Sequence, residues 1–150
     1  MAGGWREAGP LSVAPMNELS LSASVSAPVW AMMLVAALVA TKHYIADFLL
    51  QTNWMARGKE CRSGWFLPLT AHVMCHAGLT LVIALVIAPR LWWLALVDFG
   101  VHFGIDRGKA ILGQLGRWTP ADEKFWWLLG FDQYLHQLTN VTLGAAFFLA

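Results

Sequence analysis

The sequence predicts an all-α fold, a polytopic membrane protein built as a bundle of four transmembrane helices, and three observations predict it. Hydrophobic residues make up 58% of the 150-residue chain and charged ones 13%, against roughly half and a quarter in soluble domains. Four apolar segments recur, each near the 20 or so residues that cross a bilayer. Each of the four also carries ionisable residues four apart, at depths that match when the segments run antiparallel.

Residues 1–28 are rich in Ala, Ser, Gly and Pro and show no apolar period, which predicts a flexible N-terminal tail. The small residues Ser22 to Ala27 precede the hydrophobic stretch instead of following it, unlike a cleaved signal peptide. The apolar segments span about 29–51, 66–88, 91–113 and 125–149, within a transmembrane domain of residues 29–150. A polar link, Thr52 to Gly64, joins the first two, Pro89-Arg90 turns sharply between the second and third, and Gly116 to Lys124 separates the last two. Connections this short make sequential helices antiparallel neighbours. In lipid only a helix satisfies the backbone of such segments internally.

Charge sets the orientation. Arg57, Lys59, Arg62, Arg107, Lys109, Arg117 and Lys124 fall on the side of the two longer links, whereas Arg6 and Arg90 fall on the other. The positive-inside rule then predicts a multi-pass protein of the inner (cytoplasmic) membrane, with long loops cytoplasmic and termini outside. Tryptophans border both faces: Trp30, Trp92 and Trp93 on one, Trp54, Trp65, Trp118, Trp126 and Trp127 on the other. A net charge of +1 provides no footprint for a nucleic-acid partner. Cys61 and Cys75 make no CxxC motif, and Cys75 in its apolar run reads as a plain buried thiol.

The chemistry sits in the polar pairs. His43 and Asp47 lie at i,i+4 on the first helix, with Gln51 at i+8 on the same face. The second helix carries His72 and His76, the third Asp98, His102 and Asp106 with Lys109 beyond, and the fourth Asp132 and His136 with Gln133 and Asn140 nearby. At a rise of about 1.5 Å per residue, His43, His76, His102 and His136 come out about 13–16 Å from the cytoplasmic helix ends. Asp47, His72, Asp106 and Asp132 come out about 7–10 Å deep. The expectation is a deep ring of four histidines beneath an outer ring of three aspartates and a histidine. Asp98 falls outside both layers. Ionisable residues within membrane segments are costly and mark functional sites. Imidazoles and carboxylates on facing helices suit one or two divalent ions, Zn, Fe or Mn. The bland alternative is a hydrogen-bonded network that only locks the bundle. Gly100, Gly104 and Gly108 step along the third helix on the face opposite the site, a pattern that suits contact with a neighbouring helix or a second copy of the chain.

The elements His43-x-x-Ala46-Asp47-Phe48-x-x-Gln51-Thr52-x-Trp54-Met55-Ala56-x-x-Lys59, His72-Val73-x-x-His76, His102-x-x-Ile105-Asp106-x-x-Lys109 and Phe131-Asp132-Gln133-x-x-His136 resemble a bacterial domain-of-unknown-function family, number 3307. The resemblance covers about residues 30–149 and implies a small polytopic membrane protein, but no particular reaction. Asp98 and the glycine stripe have no counterpart in those elements. By architecture alone the chain is also similar to small membrane metal-dependent hydrolases, an analogy of fold. The leading functional expectation is therefore a metal-dependent hydrolase acting on a lipid-linked or amphiphilic substrate in contact with membrane lipids. A bound ion would bring the pKa of water toward neutrality. Asp47, Asp106 or Asp132 would act as general base, with Lys109 steadying the leaving charge. Haem ligation by the deep histidines and proton or metal-ion transport are the alternatives.

Overall fold

Residues 18–150 are described in the computed structural model, with side chains from Val29 onward, and among them every regular element is helical. Helix α1 spans Glu18–Tyr44 and passes directly into a π-helical segment, Ile45–Leu50. A short α2, Asn53–Gly58, precedes α3, Phe66–Ile87. A single 3-10 turn, Pro89–Leu91, leads into α4, Leu94–Gly116, and α5 follows at Glu123–Phe148. The last three long helices agree with the apolar segments to within a few residues. The first starts at Glu18 and not at Val29, so the Ser/Ala-rich stretch before the apolar run is helical; the tail expected for residues 1–17 lies outside the described residues.

The four long helices close into a ring, α1 packing on α3 and α5, and α4 on α3 and α5. Short loops impose this order. Pro89 cannot continue a helix, and Arg117 at φ 51° ends α4 in the left-handed conformation. Before α5, the Asp122 carboxylate accepts from the Thr119 N–H at 2.8 Å and the Thr119 hydroxyl at 2.9 Å. Those donors hold the Asp122 carboxyl below the usual carboxylate range, so their contribution to the turn is lost as pH falls through that lowered value, while the Asp122 N–H still donates to the Thr119 carbonyl at 2.8 Å.

The link from Thr52 to Gly64 is not a plain loop. Thr52 caps α2 by accepting from Met55 N–H, and α2 packs on α3, which sets Lys59 against the helix ends. Gly58 lies so close to Pro68 that a Cβ there would come within 2.6 Å of the Pro68 Cβ.

Burial is inverted relative to a water-soluble bundle. Leu34, Leu67, Val86, Leu96, Trp127 and Val141 are all exposed, whereas Lys42, His43, His72, His76, Asp98, His102, Asp106, Asp132 and His136 are buried. Two stretches, Val29–Leu50 and Phe66–Ile87, are long and apolar enough to cross a membrane. This is fewer than the four expected from sequence. In α4, Asp98, Asp106, Arg107 and Lys109 lower the apolarity, and in α5 Asp132, Gln133, His136, Gln137 and Asn140 do so. Of these, Asp98, Asp106, Asp132, His136 and Asn140 build the interior, whereas Gln133 and Gln137 are exposed.

The core is graded along its length. At one end Val39, Ile83, Ala84, Ala88, Leu94, Leu143 and Phe147 form an apolar plug; between that plug and α2 the buried histidines, aspartates and lysines gather, with Ala46, Leu69, Val73, Ala77 and Ala110 packed among them. Gly58→Ala should displace α2 and lower stability by about 1–3 kcal/mol in detergent unfolding, because the proline ring cannot yield. Gly100→Ala, where an added Cβ meets nothing within 4 Å, should instead be neutral or stabilising by up to about 1 kcal/mol. Equal effects at the two glycines would contradict the docking of α2 on Pro68.

Candidate metal centre

All eight residues expected in two layers converge. Ring centroids of His43, His76, His102 and His136 lie between 4.2 and 6.4 Å apart in every pairing, so the deep histidines form one cluster. Outside it, His72 Nε2 bridges Asp47 Oδ1 at 3.5 Å and Asp106 Oδ2 at 3.4 Å. His136 Nε2 lies 3.6 Å from Asp132 Oδ1 and 4.0 Å from Asp106 Oδ1. Three groups have donor atoms all within 4.8 Å of one another: His43, His76 and His102; Asp47, His72 and His76; Asp106, Asp132 and His136. Each combines residues from at least two helices, so the closed ring of helices is what assembles them.

The π-helical segment shapes one wall. Its widened turn keeps Ala46 fully buried and turns Phe48 and Leu49 outward. Asp47 remains in reach of the histidines, with Oδ2 3.0 Å from His43 Nε2 and Oδ1 3.0 Å from His76 Nε2. Gln51 leaves the helix instead of continuing the face expected from α-helical spacing. Its φ/ψ of −70°/109° is extended and its Nε2 donates to the Asp47 carbonyl at 3.2 Å.

Two lysines that the sequence reading did not place at the site are built into it. Lys42 Nζ donates to Asp98 Oδ2 at 2.8 Å and to Thr80 Oγ1 at 3.2 Å, and the Thr80 hydroxyl donates to the same carboxylate oxygen at 2.6 Å. Lys59 Nζ donates to Asp106 Oδ1 at 3.0 Å. Lys59 reads in sequence as a loop cation of the positive-inside side, and Lys42 is assigned no role there. The available signal was spacing along α1: Lys42 and His43 follow the buried Val39 by one helical turn. Asp98 likewise falls outside the two layers by depth yet contacts His102, whose Nδ1 lies 3.0 Å from both the Asp98 carbonyl and its Oδ1. A carbonyl only accepts, so Nδ1 carries the proton and Nε2 of the neutral ring is left as a lone pair. His102 Nε2 has no hydrogen-bond partner although it is buried.

That pattern extends through the cluster. His43 Nδ1 and Nε2, His72 Nδ1, His76 Nδ1, His136 Nδ1, Asp106 Oδ2 and Asp132 Oδ1 are also buried and unpartnered. His43 Nε2 is 3.0 Å from Asp47 but off the hydrogen-bonding direction. Unpaired buried polar atoms each cost about 1–3 kcal/mol, so this many at one place mark a cluster lacking something. Charge points the same way. Lys42 pairs with Asp98, Lys59 with Asp106, and Lys109 with Glu60 at 3.2 Å and more distantly with Asp132 at 3.9 Å. Three lysines therefore meet five carboxylates, and Asp47 and Asp132 are left without a cation of their own. A single divalent ion balances two such charges with every histidine neutral; a polar network alone would have to bind two further protons, on imidazoles or on the carboxyls themselves.

A cavity of about 390 Å³ opens beside the cluster, lined by Asp47, Gln51, Lys59, Glu60, Asp106, Lys109, Asp132, Gln133 and His136 among others. Lys109 thus reaches the cavity, where its sequence position had placed it, but in an ion pair with Glu60. The imidazole rings contact one another and leave no slot between any two for a macrocycle.

Compared with known protein families, residues 33–149 match the one described as "Protein of unknown function (DUF3307)". No curated protein and no solved structure matches the chain. Breaking one partner out of a buried ion pair typically costs about 3–5 kcal/mol. Lys42→Met should therefore destabilise the bundle by about that amount in detergent unfolding, and adding Asp98→Asn should recover much of the loss. A double variant no more stable than the single one would contradict the pairing.

Proposed function

The chain belongs to that unknown-function family, and from its interior we propose that it is a four-span integral membrane metalloprotein holding one or two divalent ions among His43, Asp47, His72, His76, His102, Asp106, Asp132 and His136. The observation that carries the reading is the coincidence of unpartnered donor atoms with four aspartates in one cluster that encloses only two lysines, Lys42 and Lys59, while Lys109 is shared at its rim between Asp132 and the exposed Glu60. The donor set of imidazole and carboxylate, without thiolate, suits Zn, Fe or Mn. The inverted burial supports placement of all four long helices in a bilayer, Asp98, His102 and Asp106 of α4 and Asp132, His136 and Asn140 of α5 being turned inward. Basic residues on the α2 side favour that side as cytoplasmic, in the inner membrane, with the termini outside.

The chemistry we assign is metal-dependent hydrolysis of an ester or phosphoester borne by an amphiphile. A divalent ion supplies acidification of water. The chain's own residues do the rest. Asp47 and Asp132, which lack a lysine of their own, line the cavity and can take a proton there. Lys109 lies at the same wall and offsets negative charge on a departing group. Asp98 holds His102 through Nδ1 and so directs Nε2 inward. Transport has one observation in its favour, the Lys42–Thr80–Asp98 group beyond the histidines. The apolar plug formed by Val39, Ile83, Leu94 and Phe147 closes that route, so we rank transport second.

Elemental analysis and an absorption spectrum of detergent-purified, chelator-free protein should give at least one equivalent of Zn, Fe or Mn and no haem band. His102→Ala and Asp106→Ala should lose that metal with helix content intact, and Asp98→Asn should weaken metal binding about 10–100-fold. Wild-type protein free of metal and haem would contradict the reading. Reporter fusions after Arg62 and Ala150 should report opposite sides of the membrane; the same side for both would overturn the four-span topology.

A further inference from the structure

Along the outside of the ring, α4 and α5 leave an apolar seam. Its lower part is a groove of about 230 Å³ walled by Ile105, Leu112, Phe131 and Leu135, with Gly104 and Gly108 at its base. A Cβ added at either glycine would meet nothing within 4 Å, so the absent side chains are part of why the space exists. The upper part is a second cavity of about 380 Å³ that shares Ile105 and Leu135 with the first and continues to Val97 and Thr142. From Lys109 to Val97 the seam covers twelve residues of α4, about 18 Å at the helical rise. One leaflet of hydrocarbon is about 15 Å thick, half the bilayer core.

The lower end of the seam is polar. Lys109 and Asp132 line both the groove and the 390 Å³ cavity beside the cluster, so the two spaces meet at these side chains. Asp132 is 3% exposed and its Oδ1 has no hydrogen-bond partner. Lys59, the second cation of the cavity, lies beyond it. A leaflet-long apolar groove ending at two lysines and a buried carboxylate cluster matches one kind of molecule, with a tail in oil and a head among charges.

We propose that the α4–α5 seam binds the alkyl chain of a membrane amphiphile whose phosphate-type head enters the cavity past Lys109. The proposal names the substrate class for the metal centre inferred above and rests on that reading for what happens at the head. A lysine ammonium recognises phosphate as a point charge, and a loaded centre offsets the carboxylates that would otherwise repel it. A second copy of the chain does not fit as well. A helix laid on the glycines would cover the groove but leave the cavity behind Lys109 unfilled.

The test is calorimetric titration of the purified full-length protein, in a neutral maltoside detergent, with dodecyl phosphate and separately with inorganic phosphate. Dodecyl phosphate should bind at least tenfold more tightly than inorganic phosphate. Gly104→Leu and Gly108→Leu, whose Cβ atoms meet nothing within 4 Å and whose side chains extend into the groove, should abolish that advantage and leave inorganic phosphate binding and metal content unchanged. Lys109→Ala should weaken both ligands together. The proposal is overturned if the leucine variants keep the advantage, or if they turn a dimer into a monomer without changing dodecyl phosphate affinity. Equal affinity for the two ligands in wild type would also overturn it. Metal is measured on the same preparations. Metal-free wild type that still shows the glycine-dependent advantage would contradict the metal centre while supporting the seam.

Discussion

Four aspartates and only two enclosed lysines, Lys42 and Lys59, are gathered in the centre of this bundle, and much of the architecture follows from accommodating them. An isolated charge in a low-dielectric interior is prohibitively expensive. Lys42 neutralises Asp98 and Lys59 neutralises Asp106, while Lys109 at the rim pairs with the exposed Glu60 and lies 3.9 Å from Asp132. α2 exists in this arrangement to deliver Lys59, and the fit of Gly58 against Pro68 holds it there. Asp47 and Asp132 remain, surrounded by imidazoles that have lone pairs to offer. A divalent cation is the smallest addition that satisfies both the charge and the unpartnered donors.

The graded interior gives the site its direction. Reading α3 from its start, the inward positions are His72, His76 and Thr80, then Ile83 and Ala84. Reading α5 they are Asp132, His136 and Asn140, then Leu143 and Phe147. Antiparallel partners α1 and α4 carry the same gradient in reverse, with Val39 and Leu94 at the apolar end. The centre is thus open toward the α2 side and sealed on the other. A one-ended pocket suits a bound ion and a substrate that enters and leaves by the same door better than it suits a through-path.

Much of the site was legible in the sequence because helical spacing and chain direction are arithmetic. Pairs at i,i+4 near the ends of one helix and the beginnings of the next meet at one depth when the helices run antiparallel, and His43, His76, His102 and His136 did so. What escaped had no periodic signature. Lys59 looks like a boundary charge and Lys42 has no role until the fold turns them inward, and Asp98 lies at the wrong depth to be counted but reaches His102 from one turn away. The π-helical turn at Ile45–Leu50 follows from no local propensity, so Gln51 could not be placed from spacing. The number of spans shows the opposite limit: by length and composition only Val29–Leu50 and Phe66–Ile87 qualify, because the buried Asp98, His102 and Asp106 of α4 and Asp132, His136 and Asn140 of α5 lower the average over those helices.

X-ray absorption at the edge of the metal carried by the purified protein tests the central claim most directly, because it reports the atoms around the ion. The account predicts a nitrogen and oxygen shell at about 2.0–2.2 Å for zinc, with the outer-shell scattering of several imidazole rings, reduced in His102→Ala. An oxygen-only shell without imidazole scattering, as for an ion held by water or lipid phosphate, would contradict it.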